Sequence, residues 1–394
     1  MKNNIKTIGI DARFYGPLGK GLGRYAQEVV DGVLELDQTN NYVIFLAPGN
    51  FADFQIPNQR VKKVLIKQRW YSLAEQLYFP LAIWRENIDL MHFLHFNVPV
   101  FCPTKFLVTI HDLILINHPT TRATTLGPIK YWLKNKGYHF VIWWAVHMAK
   151  QVIAVSEFTK DDIIKHFKIQ PAKIVVSYEG VAKLNKNNTD DPLAVLQKFG
   201  IKKPYLLYIG NAYPHKNLEG LLEVFSEIHP DKTDLQLVLV GREDYFYKQI
   251  KDIAKKLNLS ERDDGQNSVI FTNFVSDQEM ATIYKNGLLY IFASFYEGFG
   301  LPPLEAMASG LPVLSSNRAS MPEILGQAAA YFDPGDKKQF KLKILELIAD
   351  KKMQESLVKL GYQQVAKYSW ADCAKQTLTL YNKIVSEKLP STPN

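Results

Sequence analysis

The stretch LLYIFASFYEGFGLPPLEAMASG, residues 288–310, decides how the chain is read. LLYIFAS is apolar, rich in aromatic and branched side chains, and short enough for a buried strand. FYEGFG follows at its carboxyl end. LPPLEAMAS then reads as a helix, with Pro302 and Pro303 suited to its first turn and Gly310 to its close. In open α/β sheets, ligands bind beyond the carboxyl ends of the strands. Backbone N–H groups at the start of a helix attract an anion, and Gly298 and Gly300, having no Cβ, let a phosphate approach. Glu297 and Glu305 must serve another purpose, because a carboxylate only accepts hydrogen bonds. Hydroxyl groups at either end of a diphosphate, as in a sugar nucleotide, fit that need. The simpler alternative for Glu305 is an early helical carboxylate that favours the macrodipole.

Working outward, strands alternate with helices in both directions. Before residue 183 the strands are TIGIDAR (7–13), YVIFLA (42–47), VKKVLI (61–66), LMHFL (90–94), FLVTIHD (106–112) and QVIAVS (151–156), with helices at 21–36, 70–87 and 128–149. The polar, Asn-rich KLNKNNTDDP (183–192) reads as a linker. Beyond it come strands at 205–210, 235–241, 268–272, 288–294 and 312–316, with helices at 216–228, 245–258, from Ser276, and 302–309. Ser276 and Glu279 form a candidate capping box. Near-continuous apolar strands between helices point to parallel sheets covered on both faces. The expected organisation is α/β: two doubly wound Rossmann-like domains facing each other across a cleft. Residues 1–183 form the first, 184–200 a linker and 201–366 the second. The last helix, within 367–394 and capped by Ser369, packs on the second domain or returns to the first.

Bulk properties narrow the class. Residues 1–180 hold 21 Lys and Arg against 14 Asp and Glu, so nearly all of the net charge of +8 lies there. Such an excess suits an anionic partner for the N-terminal half, or is simply a basic surface. Two cysteines, Cys102 and Cys373, make no disulfide framework and no Cys-rich metal site. The first residues do not read as a signal peptide. The apolar runs 139–149 and 287–296 are short of the roughly 20 residues of a membrane-spanning helix. A soluble, cytoplasmic protein is expected, with peripheral attachment to the inner face of the cell membrane as the variant of that reading.

With Glu297 and Glu305, GFGLPPLEAMASGLPVLSSN resembles the E-x7-E signature of retaining glycosyltransferases of family 4, which have the GT-B fold. YIGNAYPHKNLEGLL (208–222), FTNFVSDQEMATIY (271–284), MPEILGQAAAYFDP (321–334), VTIHDL (108–113), AVSEFTKDDI (154–163) and GIDARFYGPLGKGLGRY (9–25) resemble family segments in the same order. The resemblance covers essentially the whole chain and looks most like the mannosyltransferase branch. It implies that Glu305 binds the nucleotide ribose and Glu297 the hydroxyls of the transferred sugar. Gly298 and the backbone amides of Phe299, Gly300 and Leu301 would hold the diphosphate and sugar. Lys216 matches the family lysine on the leaving diphosphate, and His111, at a strand end, the family's active-site histidine. After Gly210 many members carry an arginine where this chain has Asn211; Arg24 is the candidate substitute, or a solvated helix residue. Gly19, Gly21 and Gly23 match the loop that faces the diphosphate across the cleft. GPLGKGLGRY is not a strict dinucleotide fingerprint, because Arg24 occupies its last glycine place.

The resemblance implies transfer of a hexose from a sugar nucleotide, GDP-mannose favoured over UDP- or ADP-glucose, to a glycan or a polyprenyl-diphosphate-linked acceptor. No cofactor is expected, and no metal: the chain has no D-x-D motif and no histidines at ligand spacing. A sugar-nucleotide epimerase is the competing enzyme, and a basic protein that binds an anionic surface the competing class. Nucleic acid is not an expected partner, since no interleaved aromatic and basic motif is present. KQRWYSLAEQLYFPLAIWR (67–85) and IKYWLKNKGYHFVIWWAVHMAK (129–150) are basic and dense in aromatics. They read either as core helices or as a surface where Lys130, Lys134 and Lys136, with Trp132, meet anionic lipid.

Overall fold

The computed structural model describes residues 5–17, 20–119, 127–181, 191–260 and 267–387. The chain divides into two compact units, Met1–Ile116 with Leu126–Gly180 and Ser369–Asn394, and Asn117–Thr125 with Val181–Tyr368.

The first unit is built from β1 (Thr7–Asp11), α1 (Lys20–Leu36), β2 (Asn41–Leu46), β3 (Val61–Leu65), α2 (Leu73–Arg85), β4 (Leu90–Phe93) and β5 (Phe106–Ile110). α3 (Ile114–Asn117), α4 (Pro128–Met148), β6 (Gln151–Ala154), α5 (Glu157–Phe167) and β7 (Ile174–Val176) follow. The strands form one parallel sheet in the order β3-β2-β1-β4-β5-β6-β7. β1, β4, β5 and β6 are buried almost throughout, as a sheet with helices on both faces requires. One face packs under Phe79, Ile83, Ile142, Val146 and Ile163, from α2, α4 and α5.

The second unit begins with α6 (Pro192–Lys198), β8 (Tyr205–Ile209), α7 (Leu218–Ile228), β9 (Gln236–Val240), α8 (Tyr245–Lys256), β10 (Val269–Asn273) and α9 (Asp277–Asn286). β11 (Leu289–Phe292), α10 (Leu301–Ala308), β12 (Val313–Ser316), α11 (Met321–Leu325), β13 (Ala329–Phe332), α12 (Lys337–Ala349) and α13 (Lys351–Val365) complete it. Its parallel sheet runs β10-β9-β8-β11-β12-β13. The last helix, α14 (Trp370–Ser386), belongs to the first unit. It lies along α1 and buries Cys373, Ala374, Leu380, Tyr381 and Ile384 on the second face of that sheet.

Both sheets are doubly wound, and strand order reverses between β1 and β4 in one and between β8 and β11 in the other. Those reversals are where an α/β sheet opens a crevice for a ligand. The expected capping box is present: Ser276 Oγ accepts from Glu279 N at 3.3 Å, and Glu279 accepts from Ser276 N at 3.0 Å. Ser369 Oγ caps α14 by accepting from Asp372 N.

Three expectations need correction. The linker expected over 184–200 is helical at Pro192–Lys198, where Asp191 caps the turn and Pro192 opens it; the Asn-rich part, 182–190, lies outside the described residues. The helix expected from residue 216 begins at Leu218, because Pro214–Lys216 is a 3-10 turn and Asn217 is left-handed (φ 57°). The edge strands β7 and β13 were not anticipated: β7 has only three residues, and β13 opens on two alanines, which are poor strand formers.

Candidate active site

In the second unit the candidate residues gather at the carboxyl ends of β8 and β11. Gly210 and Asn211 follow β8 directly, and the turn Pro214–Lys216 carries the lysine. Lys216 Nζ lies 2.5 Å from Glu297 Oε1, with both side chains largely buried. The same Nζ stands 5.7 Å from the centre of the Phe292 ring. A backbone bond from Phe295 N to His215 O, 2.8 Å, ties the loop after β11 to that turn. Burial and the Lys216 charge push the His215 imidazole down to about 4, so it stands neutral beside the pair.

The loop 297–300 enters α10 through Gly300, whose left-handed backbone (φ 96°) makes it the N-cap. A Cβ there would come within 2.5 Å of Met321 Cε. The left-handed backbone therefore favours this glycine independently of any ligand. Ser320 Oγ donates to Glu297 O at 2.9 Å and fixes the loop from below. Gly298 and Phe299 are buried, the Phe299 ring meeting Tyr368 edge-on at 5.4 Å. Leu301 opens α10, with Pro302 and Pro303 in the first turn. Glu305 lies beyond that turn, where Tyr284 OH donates to its Oε2 at 3.1 Å. Its position explains it less well as a helix-dipole residue than the sequence alone suggested.

In the first unit, His111 follows β5. Its Nδ1 is 3.2 Å from Glu179 Oε1 and its Nε2 3.0 Å from Leu94 O. Burial disfavours the imidazolium, but the Glu179 carboxylate outweighs it and the pKa is raised. Tyr25 stands edge-on to the ring at 4.5 Å. Beneath it runs a buried polar chain, Tyr25 OH to Thr109 Oγ1 at 3.1 Å, Thr109 to His92 at 3.0 Å, and His92 to Tyr381 OH at 2.6 Å. α14 is thereby joined to the strand that carries His111.

The glycine loop divides. Gly21 is exposed and its missing Cβ meets nothing. Gly23 is buried, and a Cβ on it would collide with the carbonyls of Gly16 and Phe14, so close packing of the loop explains this glycine. Gly19 lies outside the described residues. Arg24 is half-buried one turn before Glu28, whose carboxyl is raised by burial and lowered in part by that arginine.

Several partners were not found in the sequence. Tyr284 on Glu305, Glu179 on His111 and Ser320 on the loop carry no local signature, because each comes from a distant segment. A buried ion network at the end of β1 was also missed. Arg13 grips Asp11 through two bonds of 2.7 Å and Glu75 through one of 2.6 Å. Burial opposes the guanidinium charge, but the two carboxylates prevail and its pKa is raised. The signal available was an Asp–x–Arg at a strand end, in GIDAR.

The arrangement offers a fixed cation, a helix amino terminus and two carboxylates at one sheet reversal. Among the described residues no group of three His, Cys, Asp or Glu is placed to hold a metal ion, and no helix is long and apolar enough to cross a membrane. A groove of about 970 Å³ lined by Lys6, Asp89, Lys105 and Lys150 lies at the amino ends of the first unit's strands. That is the wrong end for a ligand of such a sheet.

Known proteins agree with this frame. Residues 19–182 match the family described as Glycosyltransferase Family 4, and residues 195–364 match Glycosyl transferases group 1. The chain is 27% identical to O-antigen chain mannosyltransferase B of Escherichia coli, covering 92% of this chain and 95% of that one. It is 28% identical to an O-antigen chain mannosyltransferase of Salmonella typhimurium, covering 71% of each. The structure of sucrose-phosphate synthase from Thermosynechococcus elongatus superposes with a TM-score of 0.74 at 18% identity, covering 96% of this chain and 99% of that one. That likeness carries the architecture, the two Rossmann-like domains of the GT-B fold. The two family matches between them span most of the sequence, and the chain belongs to glycosyltransferase family 4.

Proposed function

We propose that this glycosyltransferase is a retaining mannosyltransferase that uses GDP-mannose and extends a glycan or a polyprenyl-diphosphate-linked acceptor. The observation that carries the reading is the Lys216–Glu297 pair at the β8–β11 reversal, with Glu305 on the helix that follows the loop. The choice of mannose rests on the relatives, two of which are mannosyltransferases of O-antigen chains.

In this reading the α10 amino terminus and Lys216 hold the diphosphate, Glu305 the ribose, and Glu297 the sugar hydroxyls. As the bond from sugar C1 to the diphosphate oxygen breaks, its electron pair stays with the diphosphate. Lys216 and the backbone N–H groups stabilise that charge, which is the contribution that usually dominates. The acceptor hydroxyl attacks C1 from the same face, and its proton passes to the departing phosphate oxygen. No enzymic nucleophile or general base is assigned. Lys216 and the helix terminus do the work a divalent ion would do. His111, oriented by Glu179 within the first unit, is assigned to the donor sugar in this reading.

A panel of GDP-mannose, UDP-glucose and ADP-glucose tests the donor, with and without a chelator. GDP-mannose should be consumed fastest, unaffected by chelation. Preference for a glucose nucleotide would replace the sugar assignment, and a product of inverted anomeric configuration would overturn the mechanism.

A further inference from the structure

Four tyrosines from different elements of the second unit converge on the β8–β11 reversal. Tyr208 OH donates to Asn211 O at 2.7 Å, Tyr247 OH to Gly210 O at 2.8 Å, and Tyr290 OH to Ile209 O at 3.2 Å. Three consecutive carbonyls at the end of β8 are thus each held by a hydroxyl. The fourth, Tyr284, donates to Glu305 at 3.1 Å and stands 6.0 Å from Tyr290, ring to ring.

The surroundings are shaped for these hydroxyls. Gly210 has a φ of 154°, and a Cβ on it would stand 2.7 Å from Tyr208 OH. A Cβ on Gly241 would collide with both Tyr247 OH and Gly210 O. Two glycines therefore clear the space through which Tyr208 and Tyr247 reach their carbonyls. Partly buried carbonyls left without a donor are costly, and these three are each given one from within the unit. Burial raises the pKa of Tyr208, Tyr247 and Tyr290, so each hydroxyl stays a donor at neutral pH.

We propose that these four tyrosines are positioning residues: Tyr208, Tyr247 and Tyr290 fix the segment 209–211 that leads into the turn carrying Lys216, and Tyr284 orients Glu305. The proposal rests on the roles given above to Lys216 and Glu305, and it divides the tyrosines by kinetic parameter. Tyr284 acts through a group that binds the nucleotide in ground and transition state alike, so it governs donor affinity. The β8 trio acts through a cation needed as charge develops, so it governs turnover.

Tyr→Phe removes each hydroxyl and keeps the ring. Tyr284→Phe should raise donor KM about three- to tenfold, a hydrogen bond's share, with kcat little changed. Tyr208→Phe and Tyr247→Phe should lower kcat by a similar factor with donor KM little changed. The decisive arm is the double variant. Tyr284→Phe should add nothing to donor KM, or to nucleoside diphosphate affinity by calorimetry, once Glu305 is Ala. Tyr247→Phe should add nothing to kcat once Lys216 is Ala. Full additivity in either cycle overturns that tyrosine's positioning role, as does a loss of thermal stability with kcat and KM moving together. If Glu305→Ala itself leaves donor affinity unchanged, the functional reading fails instead.

Discussion

Lys216 Nζ and Glu297 Oε1 stand 2.5 Å apart, on loops following two adjacent strands, with each side chain at most one-seventh exposed. Neither charge is free in this state. A ligand that engages either group must share or open the pair, so each residue restrains the other until a donor arrives. Lys216→Ala leaves a largely buried carboxylate uncompensated, and Glu297→Gln leaves the cation so. Loss of one such preorganised contact costs on the order of 10²–10³ in rate. Glu305→Gln should cost a comparable factor through donor binding. All three variants should fold, since none fills a core. Near-native turnover of Lys216→Ala at saturating donor, or an unchanged donor KM for Glu305→Gln, would remove that residue from the site.

Gly300→Ala tests whether the α10 entry depends on backbone conformation. An alanine at φ 96° is strained by roughly 1–2 kcal/mol. The nearest atom to its Cβ is the flexible end of Met321, which can move aside. Thermal unfolding should therefore shift by only a few degrees while donor affinity falls, because the strain is relieved by turning the N–H groups of the first turn. A large stability loss with unchanged affinity would make Gly300 a packing residue alone.

The acid limb of stability should come from three histidines that burial of the ring holds neutral, one fully buried (His92) and two partly so (His95 and His215). Burial, first of all, lowers His92 and His95 to about 3 and His215 to about 4, against an ordinary 6.5. The unfolded chain takes up these protons first as pH falls below 6.5. The contribution of each group is therefore complete above 6.5 and lost towards its folded value, at about 1.4 kcal/mol per pH unit at most. His111 runs the other way: its raised pKa gives stability that is full below 6.5 and lost as pH rises through the folded value. The denaturant midpoint should drop between pH 7 and pH 5, a window above most carboxylate titration. A flat midpoint there would mean that the three histidines titrate normally.

The sequence made the second unit's site readable because its parts are local. LLYIFASFYEGFGLPPLE places strand, loop and helix in one run, and the capping box at Ser276 likewise spans four residues. What escaped was long-range. Glu179 reaches His111 across 68 residues and Tyr284 reaches Glu305 across 21, and nothing in either segment alone marks the partner. Arg13 reads as one more basic residue until Glu75, 62 positions away, is seen to close its ion network. The glycines were read for what they admit, whereas Gly23 is fixed first by the carbonyls its Cβ would meet and Gly300 by its left-handed backbone. The edge strand β7 failed for a simpler reason: three residues cannot display alternation.

The last prediction concerns a lipid surface. α2 buries Glu75, Phe79 and Ile83, yet its opposite side carries Leu73, Leu77, Leu81 and Trp84 at 85, 65, 48 and 67% exposure. A surface helix of a soluble domain ordinarily turns polar residues outward. Lys67, Arg69 and Arg85 flank this stripe and are exposed, while Glu75 is turned inward to Arg13 and Glu86 is paired with Lys62. On α4, Trp132 and Trp143 are exposed, and Lys136 lies 5.9 Å from the Trp132 ring centre. The side chains of Lys130 and Lys134 lie outside the described residues. Apolar rings flanked by cations suit the boundary of an anionic bilayer. Co-sedimentation with anionic vesicles should recover the protein, weaken with salt through screening, and fall with neutral vesicles. Recovery should drop when Lys130, Lys134 and Lys136 become Glu, and again in Leu77→Glu with Trp84→Glu. Equal recovery of the lysine variant would remove α4 from the contact, and equal recovery of both would leave the acceptor soluble or held elsewhere.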